Sequence, residues 1–125
     1  MNLRTLSKQQ SRDNDCETIQ IVDVWRENLM EEMANLKQLA CGRYKMISLD
    51  TEFPGVVIRS DPNLFHSSAA YNYYTLSTNV NCLKIIQLGI CLTDDEGNVP
   101  EDGRCCWQFN FQFDLTQDLF AADSI

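Results

Sequence analysis

Two apolar runs near the C-terminal end of the 125-residue chain constrain its fold more than any other feature. They are "LKIIQLGICLT" (83–93) and "RCCWQFNFQFDL" (104–115), joined by "DDEGNVPEDG". Gly97, Pro100 and Gly103 supply the turn chemistry that reverses the chain. The first run is almost continuously apolar, as suits a strand covered on both faces. The second alternates, with Trp107, Phe109, Phe111 and Phe113 on one side and Gln108, Asn110 and Gln112 on the other. Such strict alternation assigns the aromatic residues to a packed face rather than to the stacking of bases. A hairpin this apolar needs further strands and a helical layer to cover it.

A third strand is supplied by "YKMISLDTEFPGVV", Tyr44 to Val57, which ends at the ladder-breaking Pro54-Gly55; "VVIR" extends it briefly. Residues 44–53, 84–93 and 104–113 are therefore expected to form a three-stranded antiparallel meander. In front of it, Val22, Trp25, Leu29, Met33, Leu36 and Ala40 recur at spacings of three and four. Asp23, Glu27, Glu31 and Lys37 fall outside that stripe, which predicts a helix over about residues 20–40, stopped by Gly42. Residues 59–70 are turn-rich, and Tyr73, Leu76 and Val80 then fall at helical spacing. "TQDLFAADSI" begins a last helix with Thr116 as N-cap. Residues 1–18 are polar and aperiodic and are read as a flexible arm; 19–125 form one α/β unit.

The formal charge of −8 and pI near 4.4 exclude a general grip on nucleic acid, which needs a basic stripe. No apolar run approaches the ~20 residues of a membrane span, and the N-terminus lacks the apolar core of a secretory signal. A location in cytosol or nucleus, with no membrane partner, is the expectation. Cys16, Cys41, Cys82, Cys91, Cys105 and Cys106 include no C-x-x-C pair, so reduced and mostly buried thiols are expected. With His66 the only histidine, a zinc site is not indicated.

Asp50 and Glu52 occupy alternate positions of the first meander strand. They project from one face with Cα atoms ~7 Å apart, although two carboxylates that close repel and resist desolvation. Alternating acids on a strand often do no more than keep a surface soluble. These two lie at the carboxyl end of an apolar strand, where open α/β sheets place ligand sites. Hard oxygen donors in that setting suit a divalent cation, and a pair of such ions suits phosphodiester hydrolysis. Asp94, Asp95, Glu96 and Glu101 read as a solvated turn, His66 as a surface histidine, and Asp114, Asp118 and Asp123 as helix-start and surface charges.

The segments "VDVWRENLMEEM", "SLDTEFPGVV", "YNYYTLSTNVNCLKIIQLGI" and "CWQFNFQFDLTQDLFAADSI" resemble, in order and separation, the Caf/Pop-type deadenylases. These are poly(A)-specific ribonuclease subunits of the carbon catabolite repressor–Not complex, and the resemblance covers about Ile19 to Ile125. It implies the N-terminal half of a ribonuclease-H-like fold of the DEDD 3′→5′ exonuclease superfamily, ending after the meander. Asp50 and Glu52 would be catalytic ligands of Mg²⁺ or Mn²⁺, and Phe53 would lie near the terminal nucleotide. The implied reaction removes mRNA poly(A) tails from the RNA 3′ end and releases AMP, in cytoplasm and nucleus, alongside the other complex subunits. The family pattern also calls for two further aspartates and a histidine base, for which residues 54–125 hold no counterpart. The alternative is a catalytically inactive truncated homologue, acting as an interaction module or arising as a partial gene product.

Overall fold

A computed structural model describes residues 19–123. Its elements are β1 (Gln20–Val24), α1 (Leu29–Cys41), β2 (Met46–Glu52), α2 (Ser68–Cys82), β3 (Gln87–Thr93) and β4 (Arg104–Asn110), with a 3₁₀ turn at Pro62–Leu64. The four strands form one sheet in the order β1-β4-β3-β2. Strands β2, β3 and β4 are the expected antiparallel meander, with Asp50 opposite Gly89 and Gly89 opposite Gln108.

The helix expected over residues 20–40 is corrected at its start. Residues 20–24 form β1 and pair in parallel with β4, Val22 beside Trp107 and Val24 beside Phe109. "QIVDV" alternates as well as it spirals, and an open edge on β4 offers five residues a ladder that an isolated helical turn lacks. Only from Leu29 does the helix begin, with Glu31 and Glu32 favourably placed in its first turn. It stops where Gly42 N–H donates to Leu39 O at 3.0 Å.

Helix α1 covers one face of the sheet. Val24, Leu92, Trp107 and Phe109 form the buried cluster, and Leu36, Leu39, Ala40, Tyr44, Leu88 and Ile90 pack around it. None of these core residues comes from β2. Every residue of that strand is exposed, Leu49 at 67% and Ile47 at 55% included. Covering one face of β3 leaves that strand half-buried apart from Leu92, rather than sealed on both sides. Trp25, expected in the helix stripe, precedes α1 and is 54% exposed.

Two polar side chains anchor the layers. Glu32, buried on α1, accepts from Trp107 Nε1 at 3.0 Å, Arg104 Nη2 at 2.5 Å and Asn35 Nδ2 at 3.3 Å. Burial pushes its carboxyl up; the hydrogen bonds from Trp107 and Asn35 and the charge of Arg104 outweigh that and leave it below its ordinary range. Asn79, buried on α2, accepts from the backbone N–H groups of Val57 (2.8 Å) and Ile58 (2.9 Å). It donates to Ile58 O and Thr75 O, both at 2.7 Å. Three of these four bonds pin residues 57–58 to the helix, so "VVIR" runs as a tethered loop and not as a strand extension. Helix α2 forms as its spacing predicts, yet Tyr73 (75%), Leu76 (67%) and Val80 (43%) face outward.

Three further expectations change. Asp94 is buried, not part of a solvated turn: it accepts from Arg43 Nε, from Glu96 N–H and Asn98 N–H, and from Asn98 Nδ2. These bonds close the hairpin around Gly97, whose φ of 86° lies in the left-handed region. Strand β4 stops at Asn110, so Phe111 is 43% exposed and Phe113 meets Phe120 edge-on at 6.4 Å. Residues 115–123 form turns instead of a helix, because Thr116 donates its own N–H and hydroxyl to Asp114 Oδ1 and caps nothing. Nearby, Asp118 is shielded and pairs with Lys84 at 2.5 Å. The arm assigned to residues 1–18 lies outside the described residues.

Candidate functional site

The face of the sheet opposite α1 carries the acidic pair. The strand register aligns three rows across it: Ser48–Cys91–Cys106, Asp50–Gly89–Gln108 and Glu52–Gln87–Asn110. Together with Ile19 and Ile21 these residues line an open groove of about 370 Å³ that excludes Asn110. Asp50 and Glu52 therefore stand on one wall of one groove, as their alternation requires. A third acid on the same face, Asp23, lies opposite Gln108 at the far edge of the sheet, three strand spacings (~14 Å) from Asp50.

Gly89 shapes the groove. A methyl group added there would sit 3.7 Å from Asp50 Cβ, in ordinary contact, so its absence leaves room beside the carboxylate. Gln87 is held by its neighbour, donating from Nε2 to Asn110 Oδ1 at 2.9 Å. Asp50 Oδ1 accepts from Thr51 N–H at 3.0 Å, which turns one oxygen toward the strand and leaves the other unconstrained. The donors are hard oxygens and both side chains are exposed, a chemistry that fits Mg²⁺ or Mn²⁺. They supply two carboxylates of a shell that needs more, and among the described residues no group of three or more His, Cys, Asp or Glu gathers into a metal cluster.

Phe53 is placed elsewhere. It turns round the end of β2 into a second groove of about 570 Å³ between residues 51–59 and α2, lined also by Arg59, Tyr71 and Thr75. His66 is exposed on the loop before α2. Gln87, Gly89 and Gln108 enter the groove through strand register, a long-range property with no local signal; Gly89 inside an apolar strand was the one visible hint.

The cysteines correct another expectation. Cys91 and Cys106, direct cross-strand partners, are joined in a disulfide on the groove floor. Cys105 is free and buried, whereas Cys41 and Cys82 are free and exposed, so "reduced and mostly buried" holds for Cys105 alone among the described cysteines. Sequence spacing conceals this pairing because a hairpin register brings together residues 15 apart.

A mixed α/β sheet with two helices is part of a ribonuclease-H-like fold, as in the solved Pop2 RNase domain. The match to the CAF1 family ribonuclease model extends over residues 24–122. The chain belongs to the CAF1 ribonuclease family. It is 52% identical over 105 residues to the poly(A) ribonuclease pop2 of Schizosaccharomyces pombe, covering 84% of this chain and 30% of that relative. It is 46% identical to the probable CCR4-associated factor 1 homolog 7 of Arabidopsis thaliana, over 87% of this chain and 41% of the relative. The solved S. pombe Pop2p, in its Mg²⁺- and Mn²⁺-bound form, superposes with a TM-score of 0.73 at 51% identity, covering 83% of this chain and 40% of that one. A chain from the co-crystal of the yeast NOT1 MIF4G domain with CAF1 superposes at 0.66 and 38% identity, covering 85% and 38%. This chain thus spans between 30% and 41% of the length of these relatives.

Proposed function

We propose that this chain carries the first metal-binding motif of a divalent-cation-dependent 3′→5′ exoribonuclease that shortens poly(A) tails and releases AMP. The observation that carries the reading is the placement of Asp50 and Glu52 on one groove wall, opposite Gly89, within a CAF1-family sheet. Asp50 and Glu52 would hold Mg²⁺ or Mn²⁺. When bound, such an ion supplies an activated water and stabilisation of the leaving oxygen in phosphodiester hydrolysis. Gly89 keeps the space beside Asp50 open, and the Gln87–Asn110 bond limits the rotation of the glutamine facing Glu52. Phe53, facing the second groove, would lie near the terminal nucleotide only if RNA wraps the end of β2.

Residues 19–123 bring two carboxylates and no general base to this reaction, so the 125-residue chain by itself should bind metal weakly and leave poly(A) intact. The proposed setting is mRNA turnover in cytoplasm and nucleus, with poly(A) RNA and the other subunits of the CCR4–Not complex as partners. The solved likeness to CAF1 beside NOT1 also supports a second reading, an inactive homologue that retains only an interaction role.

One experiment separates the two. Residues 1–123 are joined to the portion of S. pombe Pop2 that this chain does not match, and shortening of a 5′-labelled oligoadenylate is followed in Mn²⁺. The nuclease reading expects shortening by the joined chain, none by residues 1–125, and loss on Asp50→Asn or Glu52→Gln. An inert joined chain that still folds, or an active one indifferent to both substitutions, overturns it.

A further inference from the structure

The disulfide on the groove floor has no part in phosphodiester chemistry. Cys91 on β3 and Cys106 on β4 face each other across the antiparallel ladder with Cα atoms 4.2 Å apart. That is close to the ~4.5 Å of the narrower kind of cross-strand pair, so the strands need not separate or converge for the bond to break or form. Both sulfurs lie on the face that α1 leaves open. Cys91 is half-buried and Cys106 is 9% exposed, and both line the groove with Asp50 and Glu52. Ser48 is the residue of β2 opposite Cys91, a small side chain that leaves the Cys91 sulfur the more approachable of the two.

We propose that Cys91 and Cys106 form a reversible redox site, opened by small thiols of the glutathione class and closed by their disulfides, which reach it through the acidic groove. A reductant thiolate attacks Cys91 Sγ; the Sγ–Sγ bond breaks and Cys106 leaves as a thiolate that takes a proton from water. A second reductant thiolate attacks the mixed disulfide, forming oxidised glutathione and releasing Cys91, which is protonated in turn. One protein disulfide and two glutathione thiols become two protein thiols and one glutathione disulfide, and oxidation runs the same steps backward. Cys105 stands aside, although its sulfur is 3.7 Å from that of Cys106. It is 1% exposed, and burial together with Asp102 raises its pKa, so the attacking thiolate is suppressed there. The extra residue of β4 between the partners of Gln20 and Ile21 is Cys105 itself, which accounts for the closeness of the adjacent sulfurs. None of this depends on the nuclease reading.

The test uses residues 1–125 equilibrated with graded ratios of reduced to oxidised glutathione, acid-quenched, and alkylated with N-ethylmaleimide in denaturant before peptide mass mapping. Cys91 and Cys106 should become alkylated together in one transition as the ratio rises, with unchanged far-ultraviolet circular dichroism. Oxidised glutathione should reverse it. In Cys91→Ser, Cys106 should be recovered either alkylated or as its glutathione mixed disulfide, never in a disulfide within the chain, and in Cys106→Ser the same should hold for Cys91; should either variant misfold, the parent titration decides alone. Alkylation of both cysteines at every ratio would mean that they do not pair. A bond that resists reduced glutathione until urea unfolds the chain would make it a fixed brace. Either result overturns the proposal.

Discussion

Removing the Glu32 carboxylate should cost this fold about 3 kcal/mol, and the figure can be built from its contacts. The indole N–H of Trp107, on a residue 1% exposed, donates to Glu32 Oε2 at 3.0 Å. Leaving that donor unpaired beside the core costs about 2 kcal/mol. The Arg104 guanidinium, whose side chain is 41% exposed, is partly screened by water and adds up to ~1 kcal/mol. For a domain of this size, Glu32→Ala should then lower Tm by roughly 12–20 °C. Glu32→Gln keeps an acceptor for the indole but turns a neutral amide toward Arg104, and should cost only about 1 kcal/mol. Urea unfolding followed by tryptophan fluorescence measures both, and an unchanged m-value keeps the comparison two-state. Replacing Trp107 with Phe removes the orphaned donor, so Glu32→Ala should cost less in that background than in the parent. The folded carboxyl sits below its ordinary value of 4.5, so its contribution is complete above pH 4.5 and is lost as pH falls from there through the lower folded value. A Glu32→Ala chain within ~0.5 kcal/mol of the parent, or one that loses equally with Phe at 107, would refute the ledger.

Asn79→Ala should destabilise by about 2–4 kcal/mol, because it strands the N–H groups of Val57 and Ile58; hydrogen exchange at residues 55–59 should accelerate before the rest of the fold responds. Hydrogen bonds from Asn98, aided by Arg43, hold Asp94 down to about 2 from an ordinary 3.8, so its support of the hairpin should persist above pH 3.8 and fade as pH falls toward 2. An acid titration of Asp94→Asn should lack that component. Gly89→Ala should be neutral or stabilising by up to ~1 kcal/mol, since the new methyl makes only ordinary contact, whereas Gly89→Leu should fill the groove and weaken Mn²⁺ binding ~10-fold by paramagnetic resonance.

What could be read from the chain depended on whether the determining contacts were local. Strands β2, β3 and β4 were legible because alternation and the Gly97–Gly103 turn are local signals, and the shared face of Asp50 and Glu52 follows from the same alternation. Strand β1 was hidden. Val22 extends the three-and-four spacing of the helix that follows, and nothing nearby discloses that β4 has an edge to offer. Asp94 was read as part of a solvated turn, and the burial of Glu32 and Asn79 left no local trace, because their partners lie 51, 75 and 21 positions away. Gly89 and the Cys91–Cys106 bond belong to the same class, since each depends on register between strands.

Strand β2 has consequences for how any affinity at its acids is to be understood. Among the described residues it is joined along one edge to β3 and is bare on both faces and on its other edge. A strand held by one ladder frays at a lower free energy than the core strands, so the spacing of its two carboxylates fluctuates. A ligand bridging Asp50 and Glu52 must still that motion as well as coordinate, and the entropy of doing so is subtracted from its intrinsic affinity. Binding measured on residues 1–125 therefore reports the rigidity of a strand as much as the chemistry of two acids. Whatever packs against Ile47 and Leu49 tightens the site without touching it.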